Sequence, residues 1–303
     1  MRFRPIAALF TVLLVGVLAT TVQADQYQVF LKLTDANGSP VTDLQQDEVT
    51  VLEDGAERKT VELDLIDWPT KLSLLVDNGP ATTQSLIELR NGLRGLLEAL
   101  PEGMEVSLYT LNPQPRRIVR ATTNLQEVIE GVDLIAPDQG APRFLEGLQE
   151  AVERIDEDDS EHFPVIVMVG TDGPEGSRVR ERDINELQQR LIDNRVQLNV
   201  AMLSLGGTRS NAASGQVQVE VGISFTKMTG GRYENINVMT RMATLLPEFG
   251  RQIAEDHERR RQQYLITYER PDGVGDPTKG VSANLTRRGG RAVLSFNGHV
   301  PDR

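Results

Sequence analysis

Two aspartates stand directly after the most apolar runs of the chain: Asp77 after "KLSLLV" and Asp172 after "VIVMVGT". In an open parallel sheet, ligands gather at the carboxyl ends of strands, because loops and helix N-termini converge there. Asp77 runs into Asn78, Gly79, Pro80, Ala81, Thr82 and Thr83, and Asp172 into Gly173, so both acids belong to one rim. Such a pair can hold a divalent cation or act as an acid/base couple. It can also be structural, with Asp77 capping the following helix by accepting backbone N–H bonds. Without a cation the carboxylates repel, and each is expected either to have a raised pKa or to sit in water. Asn78, Thr82 and Thr83 are further oxygen donors near Asp77, but their spacing does not require them as ligands.

Other spacings build no reaction centre. "DEDDSE", 156–161, alternates acids as a calcium loop does. It lacks the glycine at the sixth position and the glutamate at the twelfth, where Val167 stands, so it reads as a solvated loop. His162, His257 and His299 lie in unrelated segments without spaced partners for zinc or a triad, and His257 is expected to be exposed. No nucleophile elbow, P-loop or dinucleotide fingerprint occurs, and "GTDGPEGS" lacks the phosphate-binding lysine. "HERRRQQ", 257–263, is a basic patch at a helix end, where cations favour the helix dipole. An enzyme is therefore not expected.

The elements that must position the two acids follow from periodicity. Residues 25–68 read as short β-strands, with Tyr27, Val29, Leu31 and Leu33 on one face and "DANG" and "EDGA" as turns. From Lys71 the rhythm alternates. "KLSLLVD", "EVSLYTL", "RRIVRATT", "FPVIVMVGTDG" and "VQLNVAMLSLG" are predicted strands. "SLIELRNGLRGLLEAL", "TNLQEVIEGV", "RFLEGLQEAVERI" and "DINELQQRLIDNR" are predicted helices. "GISFTKMTGGRYENI" reads as helix, glycine stop and strand, and a long helix runs through Gln263. This alternation predicts an α/β domain, a mostly parallel sheet with helices on both faces. After 261 the chain is β-rich again. Each β-rich end is too short to bury a face alone, so the two are expected to pair into one small β domain.

The first 24 residues carry two arginines, an apolar stretch from Ile6 to Leu18 and Val22-Gln23-Ala24. This fits a signal peptide cleaved after Ala24, with no membrane span afterwards, and a periplasmic or extracellular destination. No cysteine is present, so disulfides and a cysteine-linked lipid are excluded. The leader holds two cations and no acid, so the net charge of −12 becomes −14 on its removal. Such a surface repels phosphate backbones, and no basic stripe interleaved with aromatics occurs; nucleic acid is not an expected partner.

With these motifs in order, the chain resembles bacterial proteins of the von Willebrand factor A (VWA) family. Asp35, Gly38, Pro40, Val41, Leu44 and "EVTVLEDG" at 48–55 match the family's N-terminal β pattern. "FTKMTGGRYEN" at 225–235 resembles its "LAEETGGRYF", and "RQQYLITY" at 261–268 its "RSQYLLGY". The resemblance implies a Rossmann-like VWA domain at 69–260, inserted in a small β-sandwich formed by 25–68 and 261–303. It also implies a protein–protein interaction module.

The family's metal-ion-dependent adhesion site uses D-x-S-x-S, a threonine on a later loop and a further aspartate. Asp77 and Asp172 match its acids. Gly79 and Ala81 stand at the serine positions, and the threonine falls at or beside Pro142 in "PDQGAPRFLEGL". Magnesium wants a near-ideal octahedron of oxygens, and three of these five positions offer no side-chain oxygen. The resemblance thus implies a degenerate site and metal-independent protein binding through a rim of 77–83, 141–143 with Arg143, and 171–175. Weak Mg2+ or Ca2+ binding by Asp77 and Asp172 with substitute ligands is the alternative, as is a structural role in an envelope complex.

Overall fold

The computed structural model describes residues 25–204, 213–287 and 289–300. The expected leader, residues 1–24, lies outside the described residues.

The chain opens with strands β1 (Asp25–Thr34), β2 (Val49–Glu53) and β3 (Ala56–Ile66). Strand β4 (Thr70–Val76), helix α1 (Leu86–Glu98), strands β5 (Glu105–Thr110) and β6 (Arg116–Thr122), and helices α2 (Leu125–Asp133) and α3 (Phe144–Asp156) follow. Next come β7 (Phe163–Thr171), α4 (Glu181–Asp193), β8 (Gln197–Leu203), α5 (Ala213–Thr229), β9 (Tyr233–Ile236) and α6 (Met242–Arg260). The described chain ends on β10 (Gln263–Arg270), β11 (Val281–Leu285) and β12 (Arg291–Ser295).

The central sheet has the order β6-β5-β4-β7-β8-β9, and only the β5–β6 pair is antiparallel. Its central strand β7 is buried at all nine positions because both faces are covered. Val165, Val167 and Val169 of β7 point to α1, α2 and α6, while Ile166 and Met168 point to α3, α4 and α5. Close packing of α1 on α6 depends on glycine. A Cβ on Gly92 would stand 2.5 Å from the Met242 carbonyl oxygen, and one on Gly250 would stand 2.4 Å from that of Leu96. Neither backbone could yield that much.

The strands from the two chain ends form one antiparallel sheet, ordered β11-β2-β3-β10-β1-β12. Here β10 lies between β3 and β1, so residues more than 200 positions apart are neighbours, as in the pair Ile266 and Leu63. The β2–β3 turn sets Asp54 and Gly55 at φ of 51° and 85°, the left-handed conformation that the Asp-Gly pair predicts. Glu53, next to it, is buried with Arg270, Arg58 and Tyr268. Burial acts to raise its pKa, but the three hydrogen-bond donors outweigh burial and hold the carboxyl at about 2.

The two sheets meet at Phe30, Ile66, Trp68, Phe163 and Leu265. Arg195 lies over the rings of Phe30 and Trp68, 5.2 and 5.7 Å from their centroids. Two expectations change here. The last helix stops at Arg260 rather than running through Gln263, because Gln262 turns to φ 55° and Lys32 Nζ holds the Arg261 carbonyl at 2.5 Å. Within the basic patch at that end, one cation is buried. Arg260 is only 2% exposed, donates to Gln197 Oε1 at 2.7 Å and lies over Phe163, and burial pushes its pKa down to about 10. His257 is half-buried rather than exposed, with Nδ1 3.1 Å from Thr70 Oγ1, because α6 ends against the start of β4. No helix among the described residues is long and apolar enough to cross a membrane.

Candidate functional site

Strands β4 and β7 are parallel neighbours, so Asp77 and Asp172 emerge at the same end of the sheet. Asp77 is 1% exposed. Its backbone N–H continues the ladder to the Val169 carbonyl at 2.7 Å. Its carboxylate is already occupied: Gly79 N–H donates to Oδ1 at 2.7 Å and Thr171 Oγ1 to Oδ2 at 2.9 Å. Burial pushes the Asp77 carboxyl above its ordinary value, and those two donors only partly oppose it. Asp77 therefore ties the following turn to the next strand. It does not cap the helix, because a 3-10 turn at Pro80–Ser85 with Gly79 at its head intervenes before α1.

Asn78 is fully buried and crosslinks three loops. Its amide donates to the Ala136 carbonyl at 2.8 Å, its Oδ1 accepts from Asn112 N at 3.1 Å, and its carbonyl accepts from Asp138 N at 2.8 Å. Thr82, 2% exposed, turns its hydroxyl back to the Gly79 carbonyl at 2.8 Å. Pro80 and Thr83 are exposed and Ala81 is partly so.

Asp172 leans the other way, towards β8: Ser204 Oγ donates to its Oδ2 at 2.6 Å, and its own N–H reaches the Leu203 carbonyl. Gly173 is buried, and Gln218 of α5 donates to the carbonyls of both Thr171 and Gly173, at 2.6 and 2.7 Å. On the third loop the buried Pro142 carbonyl accepts from Gly176 N at 2.7 Å. Arg143, partly exposed, pairs with Glu146 at 2.7 Å. Glu175 joins these loops. Its Oε1 accepts from the N–H groups of Phe144 and Ser177, so it caps the start of α3 from a different segment. Burial raises the Glu175 pKa, against those hydrogen bonds.

Whether these residues fit the cation that the resemblance implies can be tested at Gly79. A Cβ there would stand 2.8 Å from Asn112 Nδ2 and 3.0 Å from Asp77 Oδ1. The Asn112 side chain fills the space that a serine would need. Each Asp77 oxygen already accepts one protein donor, and neither Gly79 nor Ala81 offers a hydroxyl towards a magnesium octahedron. No group of three or more Asp, Glu or His among the described residues is placed to hold a metal.

The calcium-like loop has a structural use as well: Asp158 binds Lys71 Nζ at 2.6 Å, and that bond first, then Ser160, holds its carboxyl far below the usual range. Sequence reasoning missed Thr171 as the partner of Asp77, Asn112 as the filler, and Glu175 as a cap. Asn112 carried a signal, being the first polar residue after the apolar strand "EVSLYTL", on the same rim.

No protein-family model and no curated protein matches the sequence. Solved structures do. A von Willebrand factor type A protein from Catenulispora acidiphila superposes with a TM-score of 0.50 at 10% identity, over 90% of this chain and 72% of that one. The conserved hypothetical protein BatB from Bacteroides thetaiotaomicron gives 0.45 at 12% identity, over 61% of this chain and 98% of that one. The vWF domain of the type V pili tip protein Mfa5 from Porphyromonas gingivalis gives 0.47 at 9% identity, over 62% and 96%. At such identities the likeness to the first is one of fold.

Proposed function

We propose that this chain, which has a von Willebrand factor A-type fold, is an exported, non-enzymatic module that binds a protein partner without a metal ion. The partner docks on the carboxyl-end rim of the parallel sheet. Most of the rim's polar groups are turned inward to hold its loops. The contact surface is therefore small and preformed: Pro80, Ala81, Thr83 and Arg143, flanked by the exposed Pro174 and Arg178. Preformed loops lose little freedom on binding.

One observation supports the metal-free reading: the Asn112 side chain fills the space that a serine at position 79 would need. Calorimetric titration of the chain with magnesium, manganese and calcium tests it, with no saturable heat expected. Binding tighter than millimolar that vanishes in Asp77→Ala would overturn it. Partner capture from envelope extract is expected to be equal with and without chelator, and to be lost in Thr83→Arg and Arg143→Glu.

A further inference from the structure

One face of the same sheet holds a second polar cluster, across β4, β5 and β6. Strands "KLSLLV" and "EVSLYT" each carry a serine as their third residue, and the parallel register sets Ser73 beside Ser107. Their hydroxyl oxygens are 3.2 Å apart. Ser107 is 5% exposed, on a strand whose residues from Val106 onwards are all buried. Helix α3 covers Leu75, Tyr109 and Leu111 on this face but leaves the β5–β6 corner open. A cleft of about 210 Å³ remains there, floored by the two serines and walled by Tyr109, Arg117 and Arg154.

The bonding within the cluster shows what is left over. At its lower end Lys71 is satisfied by Asp158, Ser160 and Glu105, at 2.6, 2.8 and 3.3 Å. Arg154 lies 4.3 Å above the Tyr109 ring and pairs with Glu150. Two hydroxyls that share one O–H···O bond leave the second O–H without an acceptor. Arg117 makes no ion pair or side-chain hydrogen bond among the described residues. The uncommitted groups are thus donors, one of them a guanidinium, and they await acceptor oxygens. Glu105 and Asp158 line the same cleft and oppose a doubly charged ligand such as phosphate. A singly charged, planar carboxylate suits a guanidinium fork.

We propose that this cleft binds a small organic carboxylate, held by Arg117 and by the free hydroxyl of the Ser73–Ser107 pair. None of the residues lining the cleft belongs to the rim, and the site is independent of the function proposed there.

Titration of the chain with sodium acetate at constant ionic strength, followed by NMR of the arginine Nε–Hε and β5 amide signals, tests this. A saturable shift with a dissociation constant on the order of 1 mM is expected. Arg117→Gln and the Ser73→Ala/Ser107→Ala pair should each weaken binding about tenfold or more. Arg120→Gln, an exposed arginine on the same strand, should leave it unchanged. A response that is linear in acetate, or the same in Arg117→Gln, overturns the site. Inorganic phosphate binding more tightly than acetate overturns the carboxylate assignment. Arg117 is exposed, so its variant is not expected to disturb folding.

Discussion

The hydroxyl of Thr171 donates to Oδ2 of Asp77 across the β4–β7 pair, at 2.9 Å, in a spot closed to solvent. The bond joins two strand ends that are 94 residues apart in the chain. It also takes up one lone pair of the carboxylate.

Because burial raises the Asp77 pKa above the ordinary 3.8, folding disfavours the charged form. The group's contribution to stability is therefore full below 3.8 and is lost as pH rises through the raised value. Asp77→Asn keeps an acceptor for Gly79 N–H and removes the charge. It should be more stable than the parent at neutral pH, and the difference should shrink as pH falls towards 3.8. Urea denaturation of both proteins across that range measures it. A variant less stable than the parent at neutral pH would mean that the native state needs the charge.

Gly79→Ser would restore the serine of the adhesion-site pattern without restoring the site. The new Cβ presses on Asn112 Nδ2, and that amide also donates to the Gly140 carbonyl at 3.0 Å. Overpacking of this kind costs about 1–3 kcal/mol. Chemical denaturation should show that loss, and a magnesium titration of the variant should remain flat. A gain of magnesium affinity would show that Asn112 yields easily.

Much of the α/β fold was legible because apolar runs and helical spacing report burial directly. "FPVIVMVGT" can only be a strand covered on both sides, and all nine of its residues are buried. Asp77 and Asp172 were legible as one rim for the same reason. Their partners were not. Thr171 is read as the last residue of an apolar strand until the parallel register with β4 turns its hydroxyl to Asp77. Glu175 looks like a solvent-facing loop acid until Gly176 docks on Pro142 and brings the loop to α3. Arg260 belongs to a charged helix end by sequence, and only the packing of β7 and β8 against that end buries it. Patterns along the chain do not encode which segment lies opposite.

Glu175 makes the cap the most direct of these cross-segment contacts to test. Its Oε1 serves both Phe144 N, at 3.1 Å, and Ser177 N, at 2.8 Å. Glu175→Ala should lose about 0.5–2 kcal/mol, the range for a lost N-cap. Glu175→Gln keeps an acceptor and should lose less, as read from denaturation midpoints at matched slopes. Equal losses in the two variants would mean that the charge matters and the hydrogen bonds do not.

The final expectation concerns how the two sheets hold together. Trp68, the only tryptophan in the chain, meets Phe30 edge-to-face and Phe163 at a tilt, at centroid distances of 5.7 and 5.5 Å, under the guanidinium of Arg195. Phe163 begins β7 of the central sheet, whereas Phe30 belongs to β1 of the antiparallel one, so the cluster is shared by both sheets. Their cooperative unfolding should follow, with tryptophan fluorescence and far-ultraviolet circular dichroism tracing one transition. Phe163→Ala removes a fully buried ring and should cost about 3–5 kcal/mol. Since the ring serves both sheets, the two signals should shift together. Fluorescence that changes well before the helical signal would show the junction opening first, with the central sheet still folded.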